Sequence, residues 1–247
     1  MNVLILNGTP KKKGGASVFF SKQLSKILYG CKTQTTHLRN RGDFSQALFQ
    51  LQNADAVVLS VPLYVDSVPS HILEFLMMAE QYCIQHNCHF KLYVISNSGF
   101  IEGKQNHVHL NTYKCWCQRS DIEWGGGIGI GGGVMLKTLS VVFPILIFAF
   151  TIHSIFCLTK GADLSFSLFA PIVENVLLYL FFNIGVLTCN IRLASAIKSG
   201  KCMKNIYTRV MLPSFLFIIV TDIFMVLSAL FKGKILFTLL KKDTPNS

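Results

Sequence analysis

The segment that decides the fold is VLILNGTPKKKGGAS, residues 3–17. Its first four residues are apolar without in-and-out alternation, which is typical of a strand buried on both faces of a parallel sheet. A glycine-rich, basic loop follows at 7–16, and a helical pattern begins at residue 17. Backbone N–H groups, hydroxyls and a helix N-terminus converge in such a loop. The segment therefore predicts a strand, an anion-binding loop and a helix in succession.

Two further apolar runs, 56–61 and 92–95, show the same unalternating pattern. Helical patterns lie between the runs, and weaker, more polar strands suited to sheet edges are predicted at 33–38 and 122–124. Strands and helices that alternate in this way form a doubly wound sheet. We predict an α/β fold with a doubly wound, five-stranded parallel sheet and helices on both faces.

In such a sheet the ligand lies beyond the carboxyl ends of the strands, where the strand order reverses. The loops 7–16, 62–68 and 97–104 leave those ends. The first loop is not a Walker A loop, because no Gly-Lys-Ser/Thr follows and a triphosphate with Mg²⁺ lacks its lysine and hydroxyl. The three lysines at 11–13 add positive charge, so a monophosphate is the predicted ligand group.

The three loops together resemble those of the flavodoxin-like NAD(P)H-dependent FMN reductases. The resemblance covers about residues 1–136 and rests on NGTPK at 7–11, Gly15, Ser17, PLYVDSVP at 62–69, NSGF at 97–100, Glu102, Gln105 and Asn106. Lys11 stands where this family often has arginine, and lysine binds phosphate as a point charge without the bidentate fork. The family resemblance implies a flavodoxin-like five-stranded parallel sheet, FMN as cofactor, NAD(P)H as co-substrate and a possible homodimer.

The same resemblance implies the site residues. Those around the FMN phosphate are Thr9, Lys11, Gly15 and Ser17, and those framing the ring are Pro62, Leu63, Tyr64, Val65, Asn97, Ser98, Gly99 and Phe100. No catalytic side chain is required, because the flavin itself carries the hydride chemistry. Tyr64 either lies against the ring or packs its loop onto the helix that begins at Pro69.

Residues 124–133 read WGGGIGIGGG. The run contains a Gly-x-Gly-x-x-Gly match, but no acidic residue follows at the spacing that a dinucleotide ribose requires. We interpret it as a loop or hinge, with a separate nucleotide site as the alternative. The cysteines are predicted to be reduced thiols, because no signal peptide is visible and the front half is expected to be cytosolic. No metal is predicted, because the spacing of Cys83, Cys88, Cys115 and Cys117 departs from that of zinc ligands.

The composition separates the chain at Leu136. The chain is 51% apolar with a net charge of +11; residues 1–136 carry 12 basic and 8 acidic residues, and residues 137–247 carry 11 and 4. Basic residues interleaved with aromatic ones, a zinc finger or a basic helix would indicate a nucleic-acid partner, and these patterns are missing from the sequence. We predict a flavin domain at 1–136 and a membrane-anchoring helical region at 137–247.

Three segments of the second region are candidate membrane spans: 138–158, 164–191 and 210–231. A polar stripe of Asn175, Tyr179, Asn183 and Asn190 in the second segment either packs against another membrane helix or marks a helix lying on a sheet. Pro213 and Asp222 weaken the third. Lysine and arginine placement favours Lys137 and the loop 192–209 in the cytoplasm, with the loop 159–163 outside.

These features predict a flavin domain on the cytoplasmic side of the cell membrane. The predicted function is a membrane-anchored FMN-dependent oxidoreductase of the flavin or quinone reductase type, which passes hydride from NAD(P)H to a small-molecule or membrane electron acceptor. The alternative is a non-enzymatic electron carrier or FMN sensor coupled to a membrane partner. A third hypothesis, a small transporter or channel subunit, would give Glu174 or Asp222 a role.

Overall fold

The computed structural model describes residues 1–11, 14–64, 67–161, 163 and 165–231. The chain divides into two compact units, Met1–Met211 and Leu212–Ser247. The described residues of the first unit form a six-stranded sheet in which every neighbouring pair is parallel. The strands are β1 (Asn2–Asn7), β2 (Lys32–His37), β3 (Ala56–Pro62), β4 (Lys91–Asn97), β5 (Glu123–Gly131) and β6 (Ile206–Arg209).

The helices of the first unit connect these strands. They are α1 (Ala16–Ile27), α2 (Arg41–Leu51), α3 (Ser70–His86), α4 (His107–Arg119), α5 (Gly133–Thr159) and α6 (Phe166–Lys198), with a 3-10 turn at Gly103–Asn106. The second unit contributes α7 (Ser214–Phe231), which follows Pro213 in the third predicted span. The predicted α/β class with a parallel sheet is confirmed.

The strand order is β2-β1-β3-β4-β5-β6. Its first five positions have the flavodoxin-like order, in which the chain reverses direction across the sheet between β1 and β3. All seven residues of β3 are buried, which explains the unalternating apolar pattern of that strand. The more polar β2 is an edge strand, as predicted: five of its six residues are half-buried or exposed, and only Thr36 is buried.

The predicted number of five strands is wrong by one. Residues Ile128 to Gly131 of β5 pair with Ile206 to Arg209 of β6, so β5 is an interior strand and not an edge. The sixth strand lies inside the segment 192–209, which was predicted to be a loop. Four residues are too few to show the hydrophobic periodicity of a strand. The segment pairs with β5 because α6 leads the chain back to the sheet.

The glycine run forms β5, so its interpretation as a loop or hinge is wrong. Its glycines allow other parts of the chain to approach the strand closely. A Cβ on Gly127 would lie 2.7 Å from Leu110 Cδ2, and one on Gly129 would lie 2.8 Å from the Gly103 carbonyl oxygen. A glycine-rich strand therefore marks close packing against α4 and the 3-10 turn.

Among the described residues, α5 and α6 are the two helices long and apolar enough to cross a membrane, by length and composition. Only 11% of the most apolar window of each is buried. A core helix of a soluble protein of this length would be mostly buried. Glu174, the one carboxylate of α6, is exposed.

The two helices pack side by side in antiparallel directions. The Phe143 ring lies 6.0 Å from the rings of Tyr179 and Phe182, and Ser154 Oγ donates to the Leu168 carbonyl at 2.9 Å. The C-terminal part of α6 instead contacts α1, β5 and β6. Its Asn190 Nδ2 donates to Gln23 of α1 at 3.3 Å. A single helix thus combines a paired apolar half with a half that lies on the sheet.

Candidate functional site

The loop after β1 lies at the point where the strand order reverses. Gly8 N donates to the Ser60 carbonyl at 2.9 Å, which fixes the loop against β3. A Cβ on Gly8 would lie 2.6 Å from Val61 Cγ1 and 2.7 Å from Ile72 Cδ1. Gly14 adopts a φ of +60°, in the left-handed region that favours glycine. The chain therefore turns tightly over the crevice between β1 and β3 before α1 begins.

The first turn of α1 has no side-chain cap among the described residues. Gly15 is its N-cap and supplies no capping side chain, and no acidic residue lies in the first turn. The backbone N–H groups at such an end lack intrahelical partners and carry the positive end of the helix dipole. Phosphate groups bind at this kind of position. The loop thus has the geometry of an anion site.

Two amines of the described residues lie at this loop. Lys11 is exposed within it, and Lys137 Nζ, from the first turns of α5, donates to the Gly14 carbonyl. The sequence indicated Lys137 only as a membrane flank. Its contact with a loop more than a hundred residues away depends on the turn between β5 and α5, where Gly132 has a φ of +66°. No sequence pattern indicates that contact.

Asn97, at the end of β4, connects the three loops. Its Nδ2 donates to Ser17 Oγ of α1 at 2.8 Å and to the Val61 carbonyl of β3 at 3.0 Å. Its carbonyl accepts from Leu63 N at 2.8 Å. The next residue, Tyr64, exchanges backbone hydrogen bonds of 3.3 and 3.0 Å with Ser67. The three predicted loops therefore meet at one edge of the sheet, which we call the carboxyl edge.

The predicted site residues fall into two groups by exposure. The buried ones are Thr9, Gly15, Ser17, Pro62, Leu63, Asn97 and Ser98. Lys11, Tyr64, Gly99 and Phe100 are exposed, with 42% of Tyr64 and 45% of Phe100 accessible. Apart from Gly99 and its two chain neighbours, no described residue has a heavy atom within 4 Å of a Cβ built on Gly99. Val65 lies outside the described residues. The buried group holds the loops together, and the exposed group is available to a ligand.

A buried polar network supports the loop after β4, and sequence reasoning missed it. Asn106 Nδ2 donates to the carbonyls of Gly103 and Ile130 at 3.0 and 3.3 Å. Ser96 Oγ donates to Asn106 Oδ1 at 2.6 Å and lies 2.6 Å from His109 Nδ1. Because that hydroxyl has only one hydrogen, it accepts from a protonated Nδ1. His109 Nε2 then accepts from the Tyr113 hydroxyl at 2.9 Å.

Burial lowers the pKa of His109 from its ordinary 6.5 to about 4. Between these values the unfolded chain binds a proton that the folded chain does not, so stability falls as pH falls through this range. We expect the wild type to lose about 2 to 3 kcal/mol relative to His109→Gln between about pH 7.5 and pH 4.5. Unfolding of both full-length chains in detergent at the two pH values measures the difference. An unchanged difference would contradict a neutral, buried His109.

The strand order and the three loops at the reversal point define a doubly wound α/β protein with a flavodoxin-like sheet. No protein-family model matches the chain, and no curated protein matches it.

Solved structures share part of the arrangement. The NADPH-quinone reductase from P. pentosaceus is 12% identical with a TM-score of 0.45, over 53% of this chain and 86% of that one. The NAD(P)H:quinone oxidoreductase from Methanothermobacter marburgensis is 12% identical with a TM-score of 0.43, over 80% and 97%. The azoreductase from Bacillus anthracis str. Sterne is 11% identical with a TM-score of 0.42, over 81% and 99%. At these values the likeness assigns neither a family nor an activity to the chain.

Proposed function

We propose that the chain is a membrane-anchored FMN-dependent oxidoreductase that passes hydride from NAD(P)H through FMN to an electron acceptor. The observation that carries this proposal is the N-terminus of α1 at the reversal point, which has no side-chain cap, with Lys11 and Lys137 at the same loop. Exposed Tyr64 and Phe100 lie on the other two loops of the same edge. A ligand with a phosphate at one end and a flat aromatic ring at the other matches this combination of groups.

The residues of the carboxyl edge fit FMN in distinct ways. The first-turn N–H groups of α1, Lys11 and Lys137 would hold the phosphate. Thr9 and Ser17 are buried, and Ser17 Oγ already accepts from Asn97. Their role would be to shape the loop that holds the phosphate. Tyr64 and Phe100 would contact the ring, and the open space beside Gly99 allows its approach. The bound flavin supplies the hydride chemistry, so the protein needs to bind and orient it.

The apolar surface of α5 and α6 supports membrane anchoring. Exposed side chains include Phe148, Phe156 and Phe181, and a continuous apolar surface of this kind is unfavourable in water. From Lys137 to Thr159 the helix is about 33 Å long, close to the thickness of the hydrocarbon core. Lys137 and the exposed Lys104 lie on the sheet side of these helices, and an excess of basic residues on one side supports a cytoplasmic flavin domain.

A flavin and nicotinamide titration of the full chain in detergent tests the activity. We expect the purified chain to bind FMN with a yellow flavin spectrum that NADH or NADPH bleaches. Bound flavin that neither nucleotide reduces would favour the electron carrier or sensor. A chain that binds no flavin would contradict both functions.

Replacement of Lys137 tests the phosphate site directly. Lys137→Ala is expected to raise the Kd for FMN by roughly 10- to 100-fold, because one charge-assisted hydrogen bond is lost. The Kd for riboflavin, which lacks the phosphate, should not change. Lys26→Ala, which removes the same charge at the C-terminal end of α1, is the matched control. Fluorescence titration measures the Kd for FMN and for riboflavin in the wild type and both variants. An equal loss of affinity for both flavins in Lys137→Ala would contradict the assignment of Lys137 to the phosphate.

A further inference from the structure

The apolar helices leave the sheet at the edge that carries the candidate site. β5 ends at Gly131, and α5 begins two residues later at Gly133. Gly133 N donates to the Ser98 carbonyl at 2.9 Å, and Gly132 N donates to the Phe100 carbonyl at 2.6 Å. Lys137, one turn further on, contacts the loop after β1. The first turn of α5 is therefore bonded to two of the three candidate flavin loops.

The second helix returns to the sheet at the same edge. A Cβ on Gly185 of α6 would meet the side chain of Thr208, which pairs with Ile130 close to the end of β5. After Gly185, α6 runs along the sheet to the opposite edge. There Lys198 Nζ lies 3.6 Å from the centre of the Tyr29 ring, just beyond the end of α1. Residues 166–184 therefore precede the point at which α6 reaches the sheet.

The paired stretches 138–159 and 166–184, which we call the hairpin, thus extend beyond the carboxyl edge. From Phe166 to Gly185 the rise is about 29 Å, and the matching part of α5 has a similar length. Each helix of the hairpin is long enough to cross one hydrocarbon core. Because its length only matches the thickness of that core, little of either helix is left to separate the carboxyl edge from the membrane surface. If the hairpin crosses a bilayer, the first surface of the sheet domain that meets the headgroups is the carboxyl edge.

The side chains of that edge suit a headgroup layer. Phe100 is 45% exposed next to the base of the hairpin, and aromatic side chains are enriched at membrane interfaces. Lys11 and Lys104 are exposed, and among the described residues neither takes part in an ion pair. Exposed lysines close to a bilayer are attracted to anionic phospholipids.

We propose that the carboxyl edge of the sheet docks on the headgroup layer of an anionic phospholipid bilayer, so that the candidate flavin loops open at the membrane surface. This inference rests on the membrane anchoring of the proposed function. An acceptor that partitions into the bilayer then reaches the loops without crossing water, whereas the opposite edge, with Tyr29, faces the aqueous phase.

Tryptophan fluorescence in vesicles tests the orientation without flavin or turnover. The full chain is reconstituted into vesicles of phosphatidylcholine and phosphatidylglycerol, with nitroxide lipids labelled either in the headgroup region or in the acyl chains. Three variants each replace an exposed aromatic residue: Phe100→Trp at the carboxyl edge, Tyr29→Trp at the opposite edge and Phe148→Trp on the hairpin. The wild-type chain supplies the background of Trp116 and Trp124.

We expect Phe148→Trp to add fluorescence that acyl-chain nitroxides quench, which reports insertion of the hairpin. Phe100→Trp should be quenched several-fold more strongly by headgroup nitroxides than Tyr29→Trp, and Tyr29→Trp should respond mainly to aqueous acrylamide. Quenched Phe148→Trp together with equal, weak lipid quenching at positions 100 and 29 would overturn the orientation alone. Unquenched Phe148→Trp would overturn both the anchoring and the orientation. This is also the result expected if a second copy of the chain, and not lipid, covers the hairpin.

Discussion

A chain that ends at Leu136, the predicted domain boundary, is expected to aggregate on expression. It would lack the C-terminal part of α6, in which Val186, Leu193 and Ile197 are fully buried. Loss of three such side chains costs about 5 to 9 kcal/mol, which approaches the whole stability of a typical domain. It would also lack β6, so that the glycine-rich β5 would become an unprotected edge.

A chain that keeps these parts and loses the hairpin and α7 is the matched comparison. Replacing residues 141–180 by a Gly/Ser linker of about six residues is geometrically feasible, because packed helices lie about 8–10 Å apart. The Phe143 and Phe182 rings, at the base of the hairpin, are 6.0 Å apart. This chain also ends at Met211, so that the exposed apolar side chains of α7 are absent. We expect it to be soluble without detergent and to unfold cooperatively, since the exposed apolar side chains of the hairpin and of α7 are gone.

Soluble yield, size-exclusion chromatography and circular dichroism of the two chains measure the difference. A well-folded, soluble chain ending at Leu136 would contradict the contribution of α6 and β6 to the stability of the sheet. An insoluble hairpin deletion would instead show that the removed helices are needed for folding of the sheet domain, which their exposure does not lead us to expect.

The sheet and its functional edge were predictable because their signals are local. Strands buried on both faces read as unalternating apolar runs, as in β1 and β3, and the loops that follow parallel strands share an edge. The loops after β1, β3 and β4 accordingly meet through Asn97. The polar β2 was correctly assigned to an edge because half-exposed strands carry polar side chains.

The remaining features depend on contacts between distant parts of the sequence. α6 combines two environments, so its polar stripe fits both of the alternatives that the sequence left open: Asn190 bonds to α1, whereas Tyr179 packs beside α5. The four residues of β6 show no period of their own. The composition of β5 resembles that of a loop, because its glycines are determined by neighbouring chain segments and not by the strand itself.

Gly131→Ala is expected to be among the most destabilising single substitutions in the sheet. A Cβ at this position would clash with the Ile101 carbonyl oxygen and lie 2.7 Å from Gly103 N. Both neighbours are backbone atoms, so no side chain can rotate away. We expect a loss of about 3 kcal/mol, which corresponds to a fall in Tm of roughly 6–12 °C for a domain of this size. Thermal unfolding of the full chain in detergent measures it.

Gly99→Ala is the control for this substitution. It adds the same methyl group to the loop 97–104, and Gly131 approaches residues 101–103 of that loop. Nothing lies within 4 Å of its Cβ, and its φ is not in the left-handed region, so its effect on stability should stay within about 0.5 kcal/mol. Displacement of the 101–103 backbone by Gly131→Ala should also weaken FMN binding, since Phe100 is in the same loop. Equal stability of the two variants would contradict the close packing of this loop on β5, and with it the support that β5 gives to the candidate site.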